Sequence, residues 1–373
     1  MPKSLILSGH GRVEYSDLFG RKIRCGALAD LKVADQDRLI EWIRAGKTDE
    51  AVDLLEVLCL LYLDMNKILL EWSLSCAQTL RQKLGADAET EIGGKIYLIW
   101  KDIIDSESES QVQIEAGKKL LTLLMPNITR NRSDCQPLSE KLNESVLQTW
   151  NETLHHVKNK KIDLAIETFE SFVLQARRLH DFLCQYLWVY PSELSKSHGQ
   201  KFSEDFMLES FQSCTMYESL FRIMVKLSPE GMVAFLAEHL RGHFSGPGHR
   251  GKVEIIEEDD RYRLIFDACG SGGAMRRKAI EKPLCGLDTY AEASPSTWGM
   301  AGNVSVFCAH CAQNEIFMVK RFGFPAWIVN YDADPMKPCG WTVYKDYANV
   351  PEKYYERIGF KKDPSKMVKL PTD

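Results

Sequence analysis

Cys308-Ala-His-Cys311 sets two thiols two residues apart, the gap at which one turn can present two thiolates to a single metal ion. Zinc takes four tetrahedral nitrogen or sulfur ligands, so the pair needs two more. Cys269 and Cys339 stand in turn-rich stretches on either side, and His310 lies inside the pair; these complete the candidate ligand set. Free cysteines also pack as small hydrophobes, and Cys-x-x-Cys can be a redox dithiol, so both readings stand beside the metal one.

A second group is imidazole. His239 and His243 are four residues apart at the end of an expected helix, the spacing by which a helix face chelates zinc, and His249 follows a Gly/Pro loop. They are alternative ligands, although protonated histidines at a helix C-terminus also suit the negative end of its dipole. Glu315 is one helical turn beyond Cys311, where a carboxylate can serve as general base, with His249 and His310 as further proton carriers. Arg276 and Arg277 offer a grip on an anionic group, and Trp298 and Trp341 offer aromatic walls for a small substrate.

Leu264-Ile-Phe-Asp-Ala-Cys-Gly-Ser-Gly-Gly273 resembles the first motif of Rossmann-like methyltransferases, an apolar strand and an acid followed by glycines. Asp288 would then be the ribose-binding acid. The preceding strand reads as the second arm of a hairpin, however, and little chain follows for a parallel sheet. The glycines otherwise expose backbone N–H groups to an anion or supply positive φ.

The elements that must hold these residues fall into two textures. Apolar positions at three- and four-residue spacing predict helices over 35–45, 49–84, 91–104, 110–124, 137–158, 162–190, 204–227 and 229–241, with 126–136 a loop. Thr48 is the expected N-cap of the first long helix. Beyond 241, strand-like runs at 253–257 and 262–266 predict a hairpin, then come a short strand at 304–307, a helix over 311–322 stopped by Gly323, and strands at 326–331 and 341–344. The expected architecture is α+β: a helical domain over 1–241 packed on a smaller domain over 242–373 with antiparallel strands. Lys47-Thr-Asp-Glu-Ala-Val-Asp-Leu-Leu-Glu56 resembles Lys161-Ile-Asp-Leu-Ala-Ile-Glu-Thr-Phe-Glu170, which suggests a duplicated helical unit.

A net charge of −5 over 373 residues argues against nucleic acid or an anionic membrane as partner. The most apolar run, 54–72, is interrupted by Glu56, Asp64, Lys67 and Glu71, which would be costly in lipid. Eleven cysteines, an odd number and too few for a disulfide scaffold, read with the absence of a signal-peptide pattern as reduced thiols in the cytoplasm. The helical region leaves room for homo-oligomer formation.

From 304 to 344 the order is strand, Cys-containing turn, helix ending at Gly323, strand, then Cys339 before Trp-Thr-Val-Tyr. That layout is similar to the C-terminal part of vinyl-reductase-type ligand-binding modules and of the L-2-amino-thiazoline-4-carboxylate hydrolase-like family. The resemblance implies a small-molecule pocket beside cysteines, with hydrolysis of a C–N or C–S bond in a heterocycle. The expected function is a cytosolic metal-dependent hydrolase or lyase, with zinc (or iron) as cofactor and a small polar molecule as substrate. A non-enzymatic small-molecule or redox sensor and a methyltransferase-like protein using S-adenosylmethionine are the alternatives.

Overall fold

The computed structural model describes residues 13–370 apart from 18–19, 25–27, 108–134 and 282–287, so the helix expected over 110–124 lies outside the described residues. A hairpin of β1 (Val13–Ser16) and β2 (Arg21–Arg24) leads into helices α1 (Leu28–Leu31), α2 (Asp35–Arg44) and α3 (Thr48–Glu107). Then follow α4 (Cys135–Leu142), α5 (Glu144–Lys158), α6 (Ile162–His198), α7 (Gln200–Gln212), α8 (Thr215–Met224) and α9 (Pro229–Gly242). The C-terminal part contains β3 (Glu254–Glu257), β4 (Arg261–Phe266), α10 (Gly272–Glu281), β5 (Thr289–Tyr290), β6 (Val304–Ser305), α11 (Ala309–Phe322), β7 (Ile328–Asn330), β8 (Cys339–Tyr344) and α12 (Lys353–Glu356). The class is α+β. No described helix is long and apolar enough to cross a membrane.

Local chemistry accounts for some of the helix ends. Ser228 caps α9 by accepting from Gly231 N at 3.1 Å, with Pro229 behind it in the first turn. Gly323, at φ 79°, closes α11 in the left-handed conformation. Gly85 takes non-helical angles and kinks α3 where a break was expected after residue 84. α6 runs eight residues past its expected end at Tyr190, straight through Pro191. Proline costs a helix one hydrogen bond, but Val189, Tyr190 and Leu194 are buried and Pro191 O accepts from Ser203 Oγ at 2.7 Å, so packing outweighs the break. The single helix expected over 204–227 is two helices, α7 and α8, and that over 137–158 is α4 and α5.

The two long helices open in the same way. Ala45 N, Gly46 N and Lys47 N bond to Glu41 O, Ile43 O and Trp42 O; Asn159 N, Lys160 N and Lys161 N bond to His155 O, Val157 O and His156 O. These are one turn repeated 114 residues on (Gly46 to Lys160), with its left-handed residue at φ 69° in Gly46 and φ 54° in Lys160. Burial repeats too: Ala51, Leu55 and Leu58 face the same apolar cluster as Ala165, Phe169 and Phe172. Thr48 is inside the helix, and its hydroxyl reaches back to Gly46 O, so it does not cap.

The main sheet has the order β3-β4-β8-β7, antiparallel throughout. The expected division at 241 falls inside a continuous apolar cluster that runs from Met65 and Leu183 through Leu236 to Phe307, Trp327 and Trp341. A buried charge network fixes the end of α9 against the first helices. Arg241 binds Glu238 Oε1 at 2.8 Å and the Leu31 carbonyl, with Asp35 Oδ1 3.7 Å from its Nε; Asp35 is also paired with Arg24. Two arginines and two acids balance in charge, which lets the group stay buried.

A histidine and cysteine cluster at the meeting of three helices

α6 passes beneath the C-terminal end of α9, and the residues that meet there are polar. His180 and Cys184 are one turn apart on α6 and fully buried. His243 stands just past the last residue of α9, half-buried, with its backbone N–H still bonded to His239 O at 3.1 Å. His180 Nε2 lies 2.8 Å from His243 Nδ1 and 3.6 Å from Cys184 Sγ. All three ligand atoms fall within 4.8 Å of one another, and among the described residues no other group of three His, Cys, Asp or Glu does so.

The protonation pattern follows from the partners. Asp181 Oδ1 accepts from His180 Nδ1 at 2.9 Å, which leaves Nε2 of a neutral His180 with its lone pair. His243 must then donate its Nδ1–H to that lone pair. A carboxylate behind a ligating imidazole is the usual means of orienting it toward a metal. With Zn–N near 2.0 Å and Zn–S near 2.3 Å, a tetrahedral ion needs an N–S edge of about 3.6 Å and an N–N edge of about 3.3 Å. Of the two N–S edges, that between His180 and Cys184 is already in place. The N–N contact would have to open by about half an ångström for a metal to take the place of the shared proton. Burial pushes the Cys184 thiol well above its ordinary range, with Asp181 and Cys269 adding to it, so only a cation would make it a thiolate at neutral pH.

Two more imidazoles border this triangle. His239 packs edge-on to His243, ring centroids 4.7 Å apart, and is stacked between Phe235 and Trp341. Burial first, and then the charges of His310 and His180, lower its pKa to about 4. His310, in the first turn of α11, donates Nδ1–H to Phe307 O at 2.6 Å and turns Nε2 toward Cys311 Sγ at 3.5 Å; burial holds its pKa at about 4. Burial also depresses His243 and His249. His249 adopts φ 57° in its loop and feels the charges of Arg177, Asp181 and His180.

Several sequence expectations change. Cys269, Cys308, Cys311 and Cys339 do share one neighbourhood, but no three of their sulfurs approach within 4.8 Å, so they do not form the ligand shell of a single ion. Glu315 is fully buried and bound by Arg357 Nη2 at 2.6 and 2.8 Å and by Val329 N at 2.7 Å. It ties α11 to β7, and the general-base role does not fit a carboxylate so fully engaged. Arg276 spends its guanidinium on Asp332 O and Ala333 O, and Arg277 on Pro335 O and the Asp267 carboxylate; both staple the 332–336 loop, leaving no anion grip. Trp298 is buried against Tyr331, centroids 5.2 Å apart, away from the histidines. Trp341 does reach the site, as the surface on which His239 stacks.

The glycine turn serves packing. Its strand, β4, is antiparallel to both neighbours, so the parallel sheet of a methyltransferase is not formed around it. A Cβ at Gly270 would overlap the His243 carbonyl, and Gly270 N donates to Ser245 Oγ at 3.1 Å. Asp288 is taken by Ser192 and Lys196. His180 and Cys184 were missed because an apolar helix with one histidine reads as core. Their i,i+4 spacing, the criterion that singled out His239 and His243, was the available signal.

The open surface depressions lie elsewhere. One of about 660 Å³ is lined by Pro137, Glu140, Glu144 and Gln148, and another of about 640 Å³ by Asp37, Arg44, Glu170 and Arg250. Comparison with protein-family models, with curated proteins and with solved structures finds no match.

Proposed function

We propose that this chain is a metal-dependent enzyme, a hydrolase or lyase acting on a small polar molecule, with zinc held by His180, Cys184 and His243. The observation that carries the reading is the triangle of His180 Nε2, Cys184 Sγ and His243 Nδ1, oriented from behind by Asp181. Three protein ligands leave a fourth tetrahedral position, the arrangement of catalytic zinc, where a bound water or substrate atom is polarised. His239 and His310, neutral at pH 7 because of their burial, supply proton acceptors beside that position. The same donor set accepts iron. Free thiols at every described cysteine accord with a cytoplasmic setting.

Elemental analysis of the purified chain tests this. The expected result is about one zinc or iron per chain attributable to this site, lost in Cys184→Ser and His243→Ala. Cobalt substitution then separates catalytic from structural roles: a tetrahedral spectrum that shifts when a small anion is added reports an open position. Protein that takes up no metal at His180, Cys184 and His243 under reducing conditions would sink the reading. The complete burial of His180 and Cys184 favours a second reading, a non-enzymatic metal sensor, for which the cobalt spectrum would not respond to added anions.

A further inference from the structure

Four thiols outside the histidine triangle are unused by the function proposed above. Cys269 stands in the turn between β4 and α10. Cys339 opens β8 directly across from Phe266, three residues before Cys269. Cys308 precedes α11 and Cys311 lies in its first turn, with Cys311 N bonded to Cys308 O at 3.0 Å. The glycine turn closes the group. A Cβ at Gly272 would lie 2.5 Å from Cys308 Sγ, and one at Gly273 would lie 2.9 Å from Cys269 Cβ, so bare backbone is what lets the turn sit against both cysteines. All four thiols are free.

The geometry points to a polynuclear iron–sulfur cluster held by Cys269, Cys308, Cys311 and Cys339. A lone tetrahedral ion draws four thiolates to S–S edges of about 3.8 Å, since Zn–S is near 2.3 Å. Here no three of the sulfurs come within 4.8 Å, yet the four are grouped around one turn. In a cluster the thiolates bind different irons joined by sulfide, which suits that wider spread, and a Cys-x-x-Cys pair is a recurring part of such ligand sets.

Electrostatics agrees with the placement. Burial pushes the Cys308 thiol up to about 12 and raises Cys311 and Cys339, and a negative charge on any of the four would be felt by the other three. One isolated thiolate is therefore disfavoured, whereas cations bound in common ionise the set together. Arg276 and Arg277 work in the opposite direction on Cys339, and Arg276 on Cys308. Held beside the group by the 332–336 loop, they offset the negative charge of a thiolate-ligated cluster.

The test is anaerobic reconstitution of the full chain with ferric iron, sulfide and excess thiol reductant, reading iron, acid-labile sulfide and visible charge-transfer absorption. Wild type is expected to hold about two to four irons with an equal amount of sulfide. Cys269→Ser and Cys339→Ser, both half-buried and near-isosteric, should lose at least half of both, and Cys308→Ala should lose nearly all. Circular dichroism checks that each variant is folded; Gly272→Ala, which displaces the Cys308 sulfur without removing a ligand, is the second probe and should also lose sulfide. Cys184→Ser should keep the full sulfide content, so failure of the histidine triangle and failure of the cluster are read separately. Iron bound without sulfide, zinc retained on these thiols in place of iron, or sulfide content unchanged in Cys269→Ser and Cys339→Ser would overturn the assignment.

Discussion

The two helical hairpins, α2–α3 and α5–α6, share a turn, a burial pattern and a core, but only the second carries residues of the histidine and cysteine cluster. Shifting by the same 114 residues puts Asn66 opposite His180 and Leu70 opposite Cys184. All four side chains are buried. Asn66 donates its amide N–H to Asn143 Oδ1 at 3.1 Å, and Leu70 joins the apolar cluster. A helix position that can hold a buried amide can thus hold a buried imidazole, provided each finds a partner. What makes a site of the second hairpin is the arrival of His243 from α9, positioned by the Arg241 network.

Writing one hairpin into the other should have the largest effect. His180→Asn gives α6 the residue of α3 and should abolish stoichiometric metal at the triangle, with affinity down by at least about 100-fold, since even partners behind a ligand cost 10–100-fold. Helical circular dichroism should be unchanged. The reverse graft, Asn66→His with Leu70→Cys, should gain no metal, because Asn143 and not a histidine faces that position. Competitive metal titration measures both, and metal uptake by the graft would show that the α9 ligand is dispensable.

Much of the scaffold was legible in the residues and much of the site was not. Ser228-Pro229 and Gly323 mark helix ends by local chemistry, and the β3–β4 hairpin follows from alternating residues around a polar turn. Pro191 misled because its cost is local while the packing that overrides it is tertiary. Residues 13–24 form a hairpin without a clear period, since their strands are short and half-exposed. The thiol neighbourhood was visible from clustering in sequence. The histidine triangle was not, because its third ligand is 63 residues from His180 and only the fold brings them together. Glu315, Arg276 and Arg277 looked reactive by type and spacing, but their partners are carbonyls, an amide, a guanidinium and the Asp267 carboxylate, which no local pattern predicts.

The imidazoles gather on the second hairpin's side, so acid should act there first in metal-free protein. Above pH 6.5 the His239 and His310 rings are neutral whether the chain is folded or unfolded, and they contribute no pH dependence. Between there and about 4 the unfolded chain binds protons that the folded site refuses, so stability falls as pH falls. Each ring contributes a slope of about 1 kcal/mol per pH unit over that window. Denaturant midpoints from pH 7 to pH 4 read it, and His310→Gln should remove roughly half of this contribution; an unchanged slope would mean His310 is protonated in the fold.

The smallest effect tests whether the two turns are equivalent. Both put one residue at positive φ, a glycine in the first hairpin and a lysine in the second. A side chain pays about 1 kcal/mol for that conformation and glycine does not. No atom lies within 4 Å of a Cβ built on Gly46, so the cost there is conformational and not steric. Gly46→Lys should therefore destabilise by about 1 kcal/mol, and Lys160→Gly should stabilise by a similar amount. The double exchange should return close to wild type, because each turn closes on its own carbonyls. Thermal or denaturant unfolding resolves shifts of this size. If Lys160→Gly instead destabilises, the lysine chain contributes packing that the glycine of the first hairpin has no counterpart for, and the likeness of the two turns stops at the backbone.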